Sequence, residues 1–435
     1  QTVFTCLSHD IIVHETTHAV LDGIRTYFSE RTNPDVPAFH EAFADIAALF
    51  RHFSHKEALL DTIQKTGGRL YQYHLKPDVG ITDNEEARLQ GQLPVDNPLV
   101  GLAQQFGEAR GTGRALRSAL SDLPDPKLIK EPNLEPHERG AILVSAVFDA
   151  YFTIYLRRTA DLFRVYRAGG GNSESFELSG AMANLLADAA SSTAEDLFQI
   201  CVRAIDYCPP VDITFGDYLR AIMTAHRDFY PTDKEGVRDA FMQAFRLRGI
   251  VPEDAQYFSE DSLCWPLVPR KVLPDVDGLI FGDPNGLTRD EKDRNGDVLR
   301  AYAKKNAALL GFLPDRFISV PAFHPAFRVA PDGSLRIDMV VEMSQTYDAL
   351  FDSRKPELGT FPMRGGVTLL IAKPSLDKDE YPPGEIRYVI QKRLGGNHGQ
   401  KREERQRRFS RREGLLNGDD PKRFQLDFNM LHGGF

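Results

Sequence analysis

Over the first 250 residues, apolar side chains recur at three- and four-residue intervals. Residues 11–24, 42–53, 140–155, 193–207 and 237–247 each carry the stripe of a helix that buries one face. Breaks fall at Asn33-Pro34, Pro124-Asp125-Pro126, Gly169-Gly170-Gly171-Asn172 and Pro209-Pro210, residue pairs that favour turns over continued helix. Beyond Pro252 the period changes. Leu335, Ile337, Met339, Val341 and Met343 alternate with Arg336, Asp338 and Glu342, as in a strand with one buried face, and residues 366–372 and 385–390 read similarly. Thr288 and Glu291 have capping-box spacing ahead of an apolar helical stretch at 298–310. The pattern predicts an α+β protein: a mainly helical domain over residues 1–252 and a smaller α+β domain over 253–435. No internal repeat is visible.

A chain of 435 residues exceeds what one core usually serves, which supports two units. The apolar share of 42% is ordinary, and no run approaches the roughly 18 to 20 continuous apolar residues of a membrane span, so none is expected. The net charge of −9 argues against nucleic acid as a partner of the whole chain. Residues 392–413 are a basic exception, with nine Lys or Arg against three Glu. Glu403 with Arg407 and Glu404 with Arg408 have i,i+4 spacing, so the segment reads as a solvated charged helix or as an arm for a protein partner. Cys6, Cys201, Cys208 and Cys264 are too scattered for a disulfide framework or a cysteine zinc cluster and are expected as reduced core residues. The compartment leans cytoplasmic on sequence, with secretion left open.

The densest chemistry lies in His14-Glu15-Thr16-Thr17-His18, flanked by Ile11, Ile12, Val13 and by Ala19, Val20, Leu21, as in a buried helix. Positions i and i+4 share a helix face, so two imidazoles there can reach one ion at about 2.0 to 2.1 Å, with Glu15 beside them to act on water. Downstream, Glu41 and Asp45 lie one turn apart on a second apolar helix. An ionised carboxylate inside such a helix needs a metal or a donor. Glu41 would complete a His2Glu zinc set with His14 and His18, while Asp45 would hold an imidazole N–H from behind.

In this order of motifs the chain resembles the thermolysin-like (gluzincin) zinc metallopeptidases, which carry H-E-x-x-H followed by Glu-x-x-x-Asp; the gap from His18 to Glu41 is slightly longer here. The likeness covers about residues 9–252, with an insertion around 156–192. It implies a thermolysin-like catalytic domain and zinc-dependent endopeptidase activity on peptide or protein substrates. In the family, strands precede the zinc helix; they have no counterpart here, and upstream sequence is expected to be missing.

The resemblance also implies roles for single residues. Arg117, in Ala115-Leu116-Arg117-Ser118, matches an arginine that binds the substrate carbonyl, and Leu116 with Ile11 would wall the pocket for the residue after the cut bond. His137 matches a histidine that stabilises the tetrahedral intermediate, and Tyr27 a tyrosine that aids the same oxyanion. His40 replaces the asparagine that supports the second histidine ligand. Where the family has an acid before the intermediate-stabilising histidine, Pro132 stands here, and Glu131 or Glu135 would substitute.

Glu15 is then the general base, expected in apolar surroundings, and cleavage should fall before apolar residues. Two other readings stay open. One is a catalytically latent zinc scaffold for binding or assembly; the other is an aminopeptidase of the same class, for which no site binding an N-terminal amine is evident. The C-terminal domain is expected to present substrate or dock a partner.

Overall fold

All five helical stretches appear in the computed structural model, which describes residues 9–65, 68, 124–170, 178–269, 272–283, 286–329, 333–373, 384–416 and 421–427. The helices are α1 (His9–Ile24), α2 (Asp35–Phe53), α3 (Lys56–Lys65), α4 (Pro136–Ala168), α5 (Gly180–Ala204), α6 (Phe215–Phe229) and α7 (Val237–Leu247). The periodicity singles out neither α3 nor α6, although the start of α6 carries a plain signal. The Asp217 N–H donates to Thr214 Oγ1 at 3.2 Å, and the Thr214 N–H donates to the Asp217 carboxylate at 2.9 Å. Near the end of the 193–207 stretch, α5 stops at Ala204 and the chain tightens into a 3-10 turn over Ile205–Tyr207. That break separates Cys201 from Cys208. Both are free and buried, and burial pushes the Cys201 thiol up to about 12.

Helix α2 is the axis of this half: every side chain from Asp35 to Phe50 is buried. Five alanines along it let α1, α4 and α5 approach, while Phe39, Phe50 and Phe53 fill the gaps. Each large apolar side chain so buried contributes about 1.5 to 3 kcal/mol. Among the described helices, α4 alone is long and apolar enough to cross a membrane. Its most apolar stretch is 83% buried inside the protein, against α2, α5 and α7, as in a core helix.

Helix α8 (Arg289–Lys305) starts on the expected box, with the Thr288 N–H donating to the Glu291 carboxylate at 2.8 Å. Four strands follow, β1 (Ser319–Val329), β2 (Leu335–Leu350), β3 (Thr360–Ala372) and β4 (Glu385–Lys392), antiparallel in the order β1-β2-β3-β4. The basic segment becomes α9 (Gly396–Arg412), with Arg407–Glu403 and Arg408–Glu404 paired along it. The molecule is thus α+β. Strand β1 was not foreseen, because Pro321 and Pro325 interrupt its pattern; as the end strand of the sheet it tolerates them.

The alternation in β2 differs from expectation in an informative way. Met339, Val341 and Met343 face a core shared with Leu299 and Phe312, but the polar positions are not left to solvent. Asp338, Glu342 and Ser344 are all at most 3% exposed, because the helical half covers that face of the sheet. Leu370, Tyr388 and Ile390 join the helical core from this same side. The buried charges are paired across the junction: Arg25 Nη1 donates to Glu342 Oε1 at 2.6 Å, and Arg328 joins Asp206 to Asp338.

Candidate metal centre

Only one face of α1 is buried, formed by Ile11, His14, His18 and Leu21. The two histidines therefore sit in the seam against α2, whereas Ile12 is 49% and Val20 56% exposed, so the helix is not enclosed all round as its apolar flanks suggested. His14 and Glu41 are fully buried and His18 nearly so. The Nε2 atoms of His14 and His18 are 2.9 Å apart, and each lies 3.5 Å from an oxygen of the Glu41 carboxylate. His14 Nδ1 is 2.8 Å from Asp45 Oδ1. A hydrogen bond there places the proton on Nδ1 and leaves the Nε2 lone pair facing the other two groups.

His18 Nδ1 is 3.5 Å from Nδ1 of His40, whose ring stacks on it with centroids 5.7 Å apart. Burial, opposed by Asp22 and Glu41, lowers the His40 pKa to about 4, so it stands beside His18 as a neutral ring. His137, in the first turn of α4, brings Nε2 within 3.0 Å of Glu41 Oε2.

The donor set fits a divalent metal. Bonds of about 2.0 to 2.2 Å place tetrahedral ligand atoms roughly 3.3 to 3.6 Å apart; the two imidazole–carboxylate separations match that span, and the 2.9 Å between the Nε2 atoms is shorter, so the rings would part slightly around an ion. A buried carboxylate facing two imidazole nitrogens is costly unless a cation or proton lies among them. His14, His18 and Glu41 form the one such group of three among the described residues.

Glu15 is exposed on α1, not enclosed by apolar side chains. Ile11 is buried in the α1 seam. The hydroxyl of Tyr27 accepts from Ser344 Oγ at 3.2 Å and its ring lies under Arg364, so its contacts are with the sheet. Leu116 and Arg117 lie outside the described residues. Glu131 and Glu135 are both exposed before α4.

Two residues that motif reasoning passed over shape the centre. A Cβ on Gly140 would stand 2.9 Å from the Ala38 carbonyl oxygen and 3.5 Å from Glu41 Cβ, so the glycine lets α4 touch α2 beside the ligand. Asp35 ties three elements together, taking Arg139 Nε at 2.6 Å and the Phe215 N–H at 3.0 Å. A glycine inside an apolar helix was the available signal for the first; nothing local pointed to the second. Comparison of the chain with protein-family models, with curated proteins and with solved structures gives no match.

Proposed function

We propose that the chain is a zinc-dependent endopeptidase of thermolysin-like type, with His14, His18 and Glu41 as metal ligands and Glu15 as general base. The observation that carries this is the convergence of two buried imidazole Nε2 atoms and one buried carboxylate, with Asp45 behind His14, next to an exposed glutamate on the same helix. When bound, zinc would supply Lewis acidity toward water and the scissile carbonyl. Glu15 follows His14 directly, and its exposed carboxylate can take a proton from the attacking water and return it to the leaving amine. His137, whose Nε2 lies 3.0 Å from Glu41 Oε2, is proposed to hydrogen-bond the carbonyl oxygen as negative charge develops there. Arg117 would bind the substrate carbonyl, with Leu116 walling an apolar pocket. The C-terminal half would in addition dock substrate or a protein partner.

The expected outcome is one zinc per chain by elemental analysis, and peptide cleavage that Glu15→Gln abolishes while zinc content and fold are retained. Cleavage sites in a peptide library, read by mass spectrometry, should precede Leu, Ile, Val or Phe. Failure to take up zinc would overturn the metal assignment. Retained zinc with no cleavage by the parent would favour the latent scaffold, and undiminished cleavage by Glu15→Gln would move catalysis elsewhere.

A further inference from the structure

The connection between the two ligand-bearing helices, residues 25–34, is held by the C-terminal half. Glu30 receives both arms of Arg364 from β3, Nε at 2.9 Å to Oε2 and Nη2 at 2.7 Å to Oε1. The same guanidinium lies 3.9 Å over the Tyr27 ring. Two backbone bonds lace the connection to a segment near the C-terminus: the Arg31 N–H donates to the Phe424 carbonyl at 2.7 Å, and the Leu426 N–H to the Ser29 carbonyl at 2.8 Å. On its other side, Asn33 Nδ2 donates to Asp212 Oδ1 at 2.7 Å, while Arg402 and Arg405 of α9 hold the other oxygen of that carboxylate, each at 2.7 Å. Asn33 Oδ1 in turn accepts the Asp35 N–H at the start of α2.

This matters because the candidate ligands are split between the two helices. Packing restrains α1 from one side only, since its opposite face is open at Ile12 and Val20. The anchored connection supplies the remaining restraint on how His14 and His18 meet Glu41. Within it the Glu30–Arg364 fork is bidentate and mostly buried, with side chains 6% and 16% exposed. Such a pair is geometrically strict, and loss of one partner leaves the other to be hydrated by opening the chain around it.

We propose that Arg364 is a positioning residue for the metal centre: by clamping Glu30 and Tyr27 it sets the register of α1 against α2, which makes the sheet part of the frame of that centre. The zinc measurement rests on the metal assignment of His14, His18 and Glu41; amide exchange does not, so the two can fail separately. Arg364→Gln should bind zinc about tenfold more weakly in competition with a chelator, the lower end of what supporting residues contribute. In zinc-free protein it should speed amide exchange in residues 18–31 and 35–41 but not in α7. Arg387→Gln breaks a different junction pair, with Asp228 on α6, and should change neither.

Unchanged exchange in Arg364→Gln, or exchange speeded equally in α7, overturns the proposal, as does an equal loss of zinc affinity in Arg387→Gln. If the parent binds no zinc, the metal assignment fails and the exchange pattern alone decides the clamp. Should Arg364→Gln not fold, Glu30→Gln, which keeps an acceptor but removes the charge, is measured in the same way against the same criteria.

Discussion

His14 and His18 direct their Nε2 atoms at each other across 2.9 Å with Glu41 3.5 Å from both, an arrangement that is costly unless a cation or proton lies among them. A hydrogen bond from His14 Nδ1 to Asp45 Oδ1, 2.8 Å away, would make the set directional by keeping the Nε2 lone pair toward His18 and Glu41. Asp45→Asn should keep the fold and weaken zinc binding roughly 10- to 100-fold, measured by chelator competition. Another buried histidine gives the protein a pH dependence away from the candidate metal centre. His226 Nδ1 is 3.0 Å from Arg238 Nη1, and burial chiefly, with Arg238 assisting against Asp233, lowers its pKa to about 4. The unfolded chain takes up this proton near its ordinary value of about 6.5. Between these values the unfolded state binds more protons than the folded one, so stability rises with pH across the window. It is lost as pH falls from 6.5 toward 4, by up to about 1.4 kcal/mol per unit. Denaturant midpoints of zinc-free protein should show that slope, and His226→Gln should reduce it, leaving the part contributed by His40, which is lowered to the same value.

At the scale of elements, α2 carries one candidate ligand, Glu41, and the acid Asp45 on a helix buried on every side from Asp35 to Phe50, so its neighbours set where Glu41 stands. Helix α4 approaches α2 closely at Gly140. An added methyl there meets backbone, which cannot rotate away. Gly140→Ala should therefore destabilise the protein by about 1 to 3 kcal/mol despite the better helix propensity of alanine. Thermal melts in the presence and absence of zinc check this, and an unchanged or raised Tm would show that the two helices can separate at no cost. The basic helix α9 is fastened to the rest of the molecule: Arg402 is 7% exposed and bound to Asp212, and Lys392 just before the helix pairs with Asp217.

Across the whole molecule, the helical half and the sheet share buried charges and apolar side chains. Arg25 and Asp206 on the helical side lie in a network with Glu342, Arg328 and Asp338 on the strands, and Leu370, Tyr388 and Ile390 complete the helical core. Breaking a buried pair by removing one partner costs about 3 to 5 kcal/mol, and more than one is lost together here. Deletion of residues 270–435 should give a chain that does not unfold cooperatively and binds a hydrophobic dye. A sharp two-state transition for the truncated chain would show that the helices stand alone.

Five helical stripes, the strand alternation of β2, the capping box at Thr288 and the H-E-x-x-H and Glu-x-x-x-Asp pairs were legible along the chain, because each depends on residues within a turn or two of one another. Spacing alone was enough to predict that His14 shares a helix face with His18, and Glu41 with Asp45. Which partners covered those faces was not legible. The polar side of β2 looked solvated until Arg25 and Arg328 met it from elsewhere in the chain, and Tyr27 was expected at the metal but turned to Arg364. Local periodicity records how often a side chain returns to one face. What that face meets, water, an arginine or a ligand on another helix, depends on contacts between residues hundreds of positions apart, which only the folded chain brings together.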